Sequence, residues 1–118
     1  DVISQQHGSE VPVVYFANGG SSFLASQNSM TMDALALDWR ISMKRARSLV
    51  GSERVLCGNV DPITLYGSDE QIKQAVLQNM DDAGTSHHVL NLGHGVEKDT
   101  REGAVQAFVS AAREARRP

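Results

Sequence analysis

Apolar residues along this chain fall into short, nearly continuous runs, separated by longer segments in which they recur every three or four positions. The runs Val11 to Ala17, Asp33 to Leu37, Arg54 to Gly58 and His88 to Leu92 are predicted strands, with Pro12 placed near the start of the first, where a missing donor is tolerable. The intervening segments are predicted helices. Phe23 to Met30 is the least regular of them, and Ser42 to Val50 places Met43, Ala46, Leu49 and Val50 on one face with Lys44, Arg45 and Arg47 on the solvated side. Ser68 and Gln71 form a capping box ahead of Ile72, Ala75, Val76 and Met80, and Gly84 ends that helix. Thr100 opens a last helix whose Val105, Phe108, Val109 and Ala112 keep helical spacing, and Arg113, Arg116 and Arg117 suit the negative end of its dipole. Asp1 to Glu10, containing His7-Gly8-Ser9, reads as the end of a preceding element followed by a turn.

The order is strand then helix, four times over. Strands that are continuous apolar runs, and not alternating ones, belong to a parallel sheet buried on both faces, so the fold class is α/β. Four βα units make either a small open sheet or half of a TIM (β/α)8 barrel, whose full circuit takes about 250 residues. Half a barrel leaves two unpaired edges and an uncovered inner face, so the remaining strands must come from elsewhere.

At 118 residues the chain holds one domain at most, and this domain, 1–118, is a partial barrel on that reading. A net charge of −3 from intermixed acids and bases offers no field for nucleic acid or a membrane surface. The basic residues Arg40, Lys44, Arg45 and Arg47 lack interleaved aromatics, which argues further against nucleic acid. No apolar run approaches a bilayer span. The single cysteine, Cys57, reads as a buried small hydrophobe that leaves no intrachain disulfide, pointing to a soluble protein of a reducing compartment. A first residue that is Asp1 and not methionine suggests a processed product or a piece of something longer.

Candidate chemistry gathers where strands end. His94 lies between Gly93 and Gly95 just past the last strand, at the rim where parallel α/β folds bind ligands, and the glycines allow unusual backbone angles or close approach. Asn18 and the Gly19-Gly20-Ser21 loop could offer N–H groups to an anion, although a plain βα turn has the same composition. Asp38 and Asp61 suit capping of the following helix or bonding to loop backbone, and Asn59 and Asn91 suit hydrogen bonding at the rim. His87, His88 and His94 make a poor zinc site, because adjacent strand residues face opposite ways.

Leu37-Asp38-Trp39, then Gly58-Asn59-Val60-Asp61-Pro62, then Asn91-Leu92-Gly93-His94-Gly95 resemble, in order and spacing, the carboxyl-terminal part of the uroporphyrinogen decarboxylase family. The resemblance runs from about Val11 to the last helix and corresponds to roughly the last third of a family member, in keeping with the barrel arithmetic. It implies a (β/α)8 barrel, usually a homodimer, in the cytoplasm or a plastid of the haem and chlorophyll pathways. Such a barrel removes the four acetate carboxyls of uroporphyrinogen III to give coproporphyrinogen III without metal or organic cofactor. It also implies that His94 lines the substrate cleft; Gly93 and Gly95 beside it, and Asn18 and Gly19 in the loop after the first strand, are the further candidates for substrate binding. The family's arginine-rich segment, central aspartate and tyrosine have no counterpart here, and a further substrate-contacting Ser/Thr precedes the start of the chain. Val96 to Arg101 departs from a segment in which many members carry prolines.

Decarboxylating an acetate on a pyrrole needs a proton donor for the ring and a cation for the carboxylates. Imidazole can serve as either near neutral pH, while a histidine bonded to turn backbone is the plain alternative. Three expectations follow: a half-barrel inactive until its amino-terminal half completes it; a non-catalytic binding or structural subunit docked through its sheet edges; or a small domain binding an anion at Gly19-Gly20.

Overall fold

The computed structural model describes residues 5–6 and 11–116. Apart from Gln5 and Gln6, the segment Asp1 to Glu10 with its expected turn lies outside the described residues, as does Arg117. Four parallel strands, β1 (Val14–Phe16), β2 (Ala34–Ala36), β3 (Val55–Cys57) and β4 (His88–Val89), form one sheet in chain order. Helices α1 (Leu24–Asn28), α2 (Met43–Val50), α3 (Asp69–Ala83) and α4 (Glu102–Ala115) follow the strands in turn. The strands are shorter than their apolar runs, because pairing stops where the chain turns toward the rim. Among the described residues, a bridge between Val60 and Leu92 is what continues β3 and β4 beyond that point.

Register separates the two faces of the sheet. Tyr15, Leu35, Leu56 and His88 stand level on one side, and Phe16, Ala36, Cys57 and Val89 on the other. The first side packs against helices, where Leu35 and Leu56 join Leu24, Met43, Ala46 and Ala83 in a fully buried core. A second core joins Ile72, Val76 and Leu65 to Ala104, Phe108 and Ala111. The other side is open: Val14 is 58% exposed, Phe16 44% and Val89 51%. Within this chain, then, the sheet is buried on one face and not on both. Cys57 lies on the open side and is half-buried, not the buried hydrophobe its neighbours suggested. An uncovered inner face, with β1 and β4 at the edges of the sheet and without a further strand beside them among the described residues, is what half of a barrel presents.

Local signals set the helix ends. Ser42 accepts the Arg45 N–H, and Ser68 and Gln71 form the complete capping box, each side chain taking up the other's free N–H. Gly84 ends α3 with φ 91°. The segment after β1 is a 3-10 turn, Gly20–Phe23, running into the short α1. Thr100 does not open the last helix: its hydroxyl donates to the Glu97 carbonyl, and Arg101 is the residue at the helix boundary.

Two helix faces are rotated from expectation. In α4 the core takes Ala104 and Ala111 beside the expected Phe108, with Ala112 partly buried against it, while Val105 and Val109 stay 39% exposed. Leu49 of α2 is likewise exposed. Arg47 is turned inward and half-buried: its guanidinium donates to the carbonyls of Ala83, Gly51, Arg54 and His87, fastening α2 to the lower ends of β3 and β4. Burial lowers its pKa from the ordinary arginine value. At the β4 edge, an apolar hollow of about 320 Å³ lies between Val89 and Leu90 on one side and Phe108, Val109 and Ala112 on the other.

Candidate functional site

All four strand ends deliver polar residues to one rim. At the end of β2, the Asp38 carboxylate has no exposed side-chain surface. It accepts the N–H of Gly19 from the β1 loop, the N–H of Arg40, and the Arg40 Nη1 at 2.9 Å. A buried carboxylate needs such partners, and three donors meet that need. The Arg40 Nη1 also donates to the Asn18 side-chain oxygen at 2.9 Å. Asn18 and Gly19 are therefore brought to the rim, but as a loop tied to Asp38. The Gly19 N–H is donated to a carboxylate of this chain.

The end of β3 is stitched to its neighbours by Asn59, which is buried. Its amide donates to the carbonyls of Asp38 and Ile41, and its oxygen accepts from Asn79 at 2.9 Å. Asp61 caps the 3-10 turn Pro62–Tyr66 by accepting the Ile63 N–H at 3.0 Å. Both aspartates thus bond to backbone at turns, as their positions suggested. Asn91 accepts the Leu92 N–H and faces the Cys57 sulfur at 3.8 Å.

His94 is presented by this stitched rim. Gly93 donates its N–H to the Val60 carbonyl at 2.8 Å, pulling the chain after β4 against the β2 and β3 loops. A Cβ on Gly93 would lie 2.5 Å from the Trp39 nitrogen, 2.9 Å from the Asp38 carbonyl carbon and 3.1 Å from the Asn59 oxygen. Glycine is required there by close approach. Gly95 is different: its φ is not positive, and nothing lies within 4 Å of the point a Cβ would occupy. Of the two glycines flanking the histidine, only the first has a packing reason.

The exposed imidazole of His94 meets Trp39 edge to face, with centroids 6.1 Å apart, and Phe16 at 6.3 Å. It overlooks an open cleft of about 450 Å³ on the uncovered face of the sheet, lined by Phe16, Ala36, Cys57, Asn91, Leu92 and the Gly93 to Val96 loop. The arrangement offers an imidazole at the top of an apolar wall, with a guanidinium beyond it. Trp39 and Arg40 were not singled out as site residues from sequence. A signal was available, because the chain's one tryptophan follows a strand-end aspartate.

His88 plays another part. Its ring N–H donates to the Gly58 carbonyl at 2.8 Å. Burial lowers its pKa from the ordinary 6.5, partly offset by that bond and reinforced by Arg47 and Arg116. No helix among the described residues is long and apolar enough to cross a membrane.

Comparison with known proteins bears on this rim. The chain is 41% identical over 111 residues to a uroporphyrinogen decarboxylase of Histophilus somni, covering 93% of this chain and 31% of that protein. It is 37% identical over 109 residues to that of Francisella philomiragia, covering 90% and 32%. It therefore spans about a third of the length of the curated relatives it matches. A methyltransferase structure from Methanosarcina mazei superposes with a TM-score of 0.77 at 21% identity, covering 92% of this chain and 32% of that one, which speaks to the fold alone. The four βα units are thus the carboxyl-terminal half of a (β/α)8 barrel. Residues 1–115 match the family described as uroporphyrinogen decarboxylase (URO-D), and the chain belongs to that family.

Proposed function

We propose that this chain supplies the carboxyl-terminal wall of a cofactor-independent uroporphyrinogen decarboxylase, with His94 as the group that meets the tetrapyrrole. The reading rests on one observation: the imidazole stands at the rim over the uncovered sheet face, held by contacts from three strand ends. A plain turn histidine would be bonded into its own loop, whereas this one is exposed against the edges of Phe16 and Trp39.

The chemistry divides into proton delivery and charge holding. Protonation of the ring carbon next to the acetate turns the pyrrole into an electron sink. The bond between the side-chain methylene and the carboxylate then breaks, carbon dioxide leaves, and the electron pair neutralises the ring. The methylene takes up a proton and the ring carbon gives one back, leaving a methyl group. His94 carries a proton to or from the ring, or donates to a substrate carboxylate, and the apolar face formed by Phe16 and Ala36 keeps water from the macrocycle's flank. Catalysis requires the remaining strands, because the cleft has a wall on one side only.

Coexpression with the amino-terminal part of the Histophilus somni relative that this chain does not match tests the reading. The expected result is a stoichiometric complex forming coproporphyrinogen, and His94→Ala lowers kcat/KM by about 100-fold. A folded complex with no decarboxylation would assign the chain to a non-catalytic docking role. Undiminished activity in His94→Ala would remove the imidazole from the mechanism.

A further inference from the structure

Arg40 is the one guanidinium among the described residues built into the rim beside His94. Its carbon lies 4.2 Å from the centroid of Trp39, whose ring in turn touches His94, so cation and imidazole stand no more than about 10 Å apart along one aromatic plate. Among the described residues only Nη1 is engaged, by Asp38 and Asn18. Nε and Nη2 are left on a side chain that is 45% exposed, whereas the Asp38 side chain is 0% exposed. An approaching anion therefore meets the guanidinium and not its partner carboxylate. The stacked, doubly anchored side chain has already lost its rotamer freedom, so a bidentate carboxylate contact costs little further ordering.

We infer that Arg40 is a specificity-determining residue that holds a carboxylate of the substrate at the mouth of the cleft while His94 faces the ring. This rests on the reading that the substrate is a polycarboxylate tetrapyrrole. Arg40 acts in binding: it fixes which side chain of the macrocycle is turned toward the imidazole.

The test uses the complex with the amino-terminal part of the Histophilus somni relative, assayed with uroporphyrinogen at two salt concentrations. Arg40→Met keeps an unbranched apolar stem over Trp39 without the charge and raises KM about five- to tenfold, with a smaller change in kcat and a flatter dependence of KM on salt. Arg40→Lys recovers part of the lost affinity and the salt dependence of the wild type, since it keeps the charge but loses the stacked, bidentate fork. Thermal midpoints of both variants report any loosening around Asp38. An Arg40→Met KM equal to the wild type overturns the inference, as does an Arg40→Lys KM as poor as that of Arg40→Met with a matching fall in thermal midpoint. In either case wild-type turnover leaves the decarboxylase reading standing. A wild-type complex that does not turn over uroporphyrinogen removes that reading and this inference with it.

Discussion

Replacing Gly93 by alanine puts one methyl group where three stretches of backbone already meet. The new carbon would sit 2.5, 2.9 and 3.1 Å from Trp39 N, Asp38 C and Asn59 O, against the 3.4 Å at which ordinary contact begins. None of these atoms is the end of a flexible side chain, so the Trp39 peptide or the Gly93 loop must retreat by close to an ångström. Both are restrained, the former by the Asn59 amide on the Asp38 carbonyl and the latter by the Gly93 N–H on Val60. Overpacking costs about 1–3 kcal/mol where side chains can adjust, and rigid backbone places this site at the upper end, near about 3 kcal/mol. With a urea m value of about 1.5 kcal/mol per M, the midpoint falls by roughly 2 M. Trp39 is the only tryptophan, so its emission reports both the unfolding and any displacement of the rim in the folded state. Gly95→Ala is the control, expected within about 0.5 kcal/mol of the wild type because nothing lies within 4 Å of the added carbon. A Gly93→Ala chain unfolding within about 0.5 kcal/mol of the wild type at unchanged m, or a Gly95→Ala chain equally weakened, would refute the packing argument.

Arg47→Met keeps the stem of α2 but strips four carbonyls of their shared donor, and urea denaturation should show a loss of about 2–3 kcal/mol; a loss below about 1 kcal/mol would mean that water replaces the clamp. Ser68→Ala removes one half of the capping box and should cost about 1 kcal/mol by the same measurement, with Gln71→Ala costing less. His88 titrates lower in the folded chain than in the unfolded one, so its neutral form favours folding above pH 6.5 and that contribution is lost as pH falls below it. The urea midpoint of the wild type should therefore fall more steeply from pH 7 downward than that of His88→Gln, and parallel curves would exclude His88 as the cause.

Much of the architecture is written locally. Short apolar runs separated by amphipathic segments specify a strand-helix repeat whatever lies around them, and Ser42, Ser68 with Gln71, and Gly84 mark helix ends using groups within a few residues of one another. The position of His94 past the last strand follows from the same order, since parallel strands deliver their following loops to one rim. Other features depend on partners far away in the chain. The need for glycine at 93 arises from backbone more than thirty residues earlier, the inward turn of Arg47 from carbonyls at Ala83 and His87, and the engagement of Gly19 from a carboxylate on the next strand. Periodicity in α4 established a spacing and left its phase open. The stripes 104, 108, 111 and 105, 109, 112 lie one residue apart and both are apolar, so only contact with α3 could choose between them. Val109 and Ala112 of the other stripe line the hollow at the β4 edge, together with Phe108.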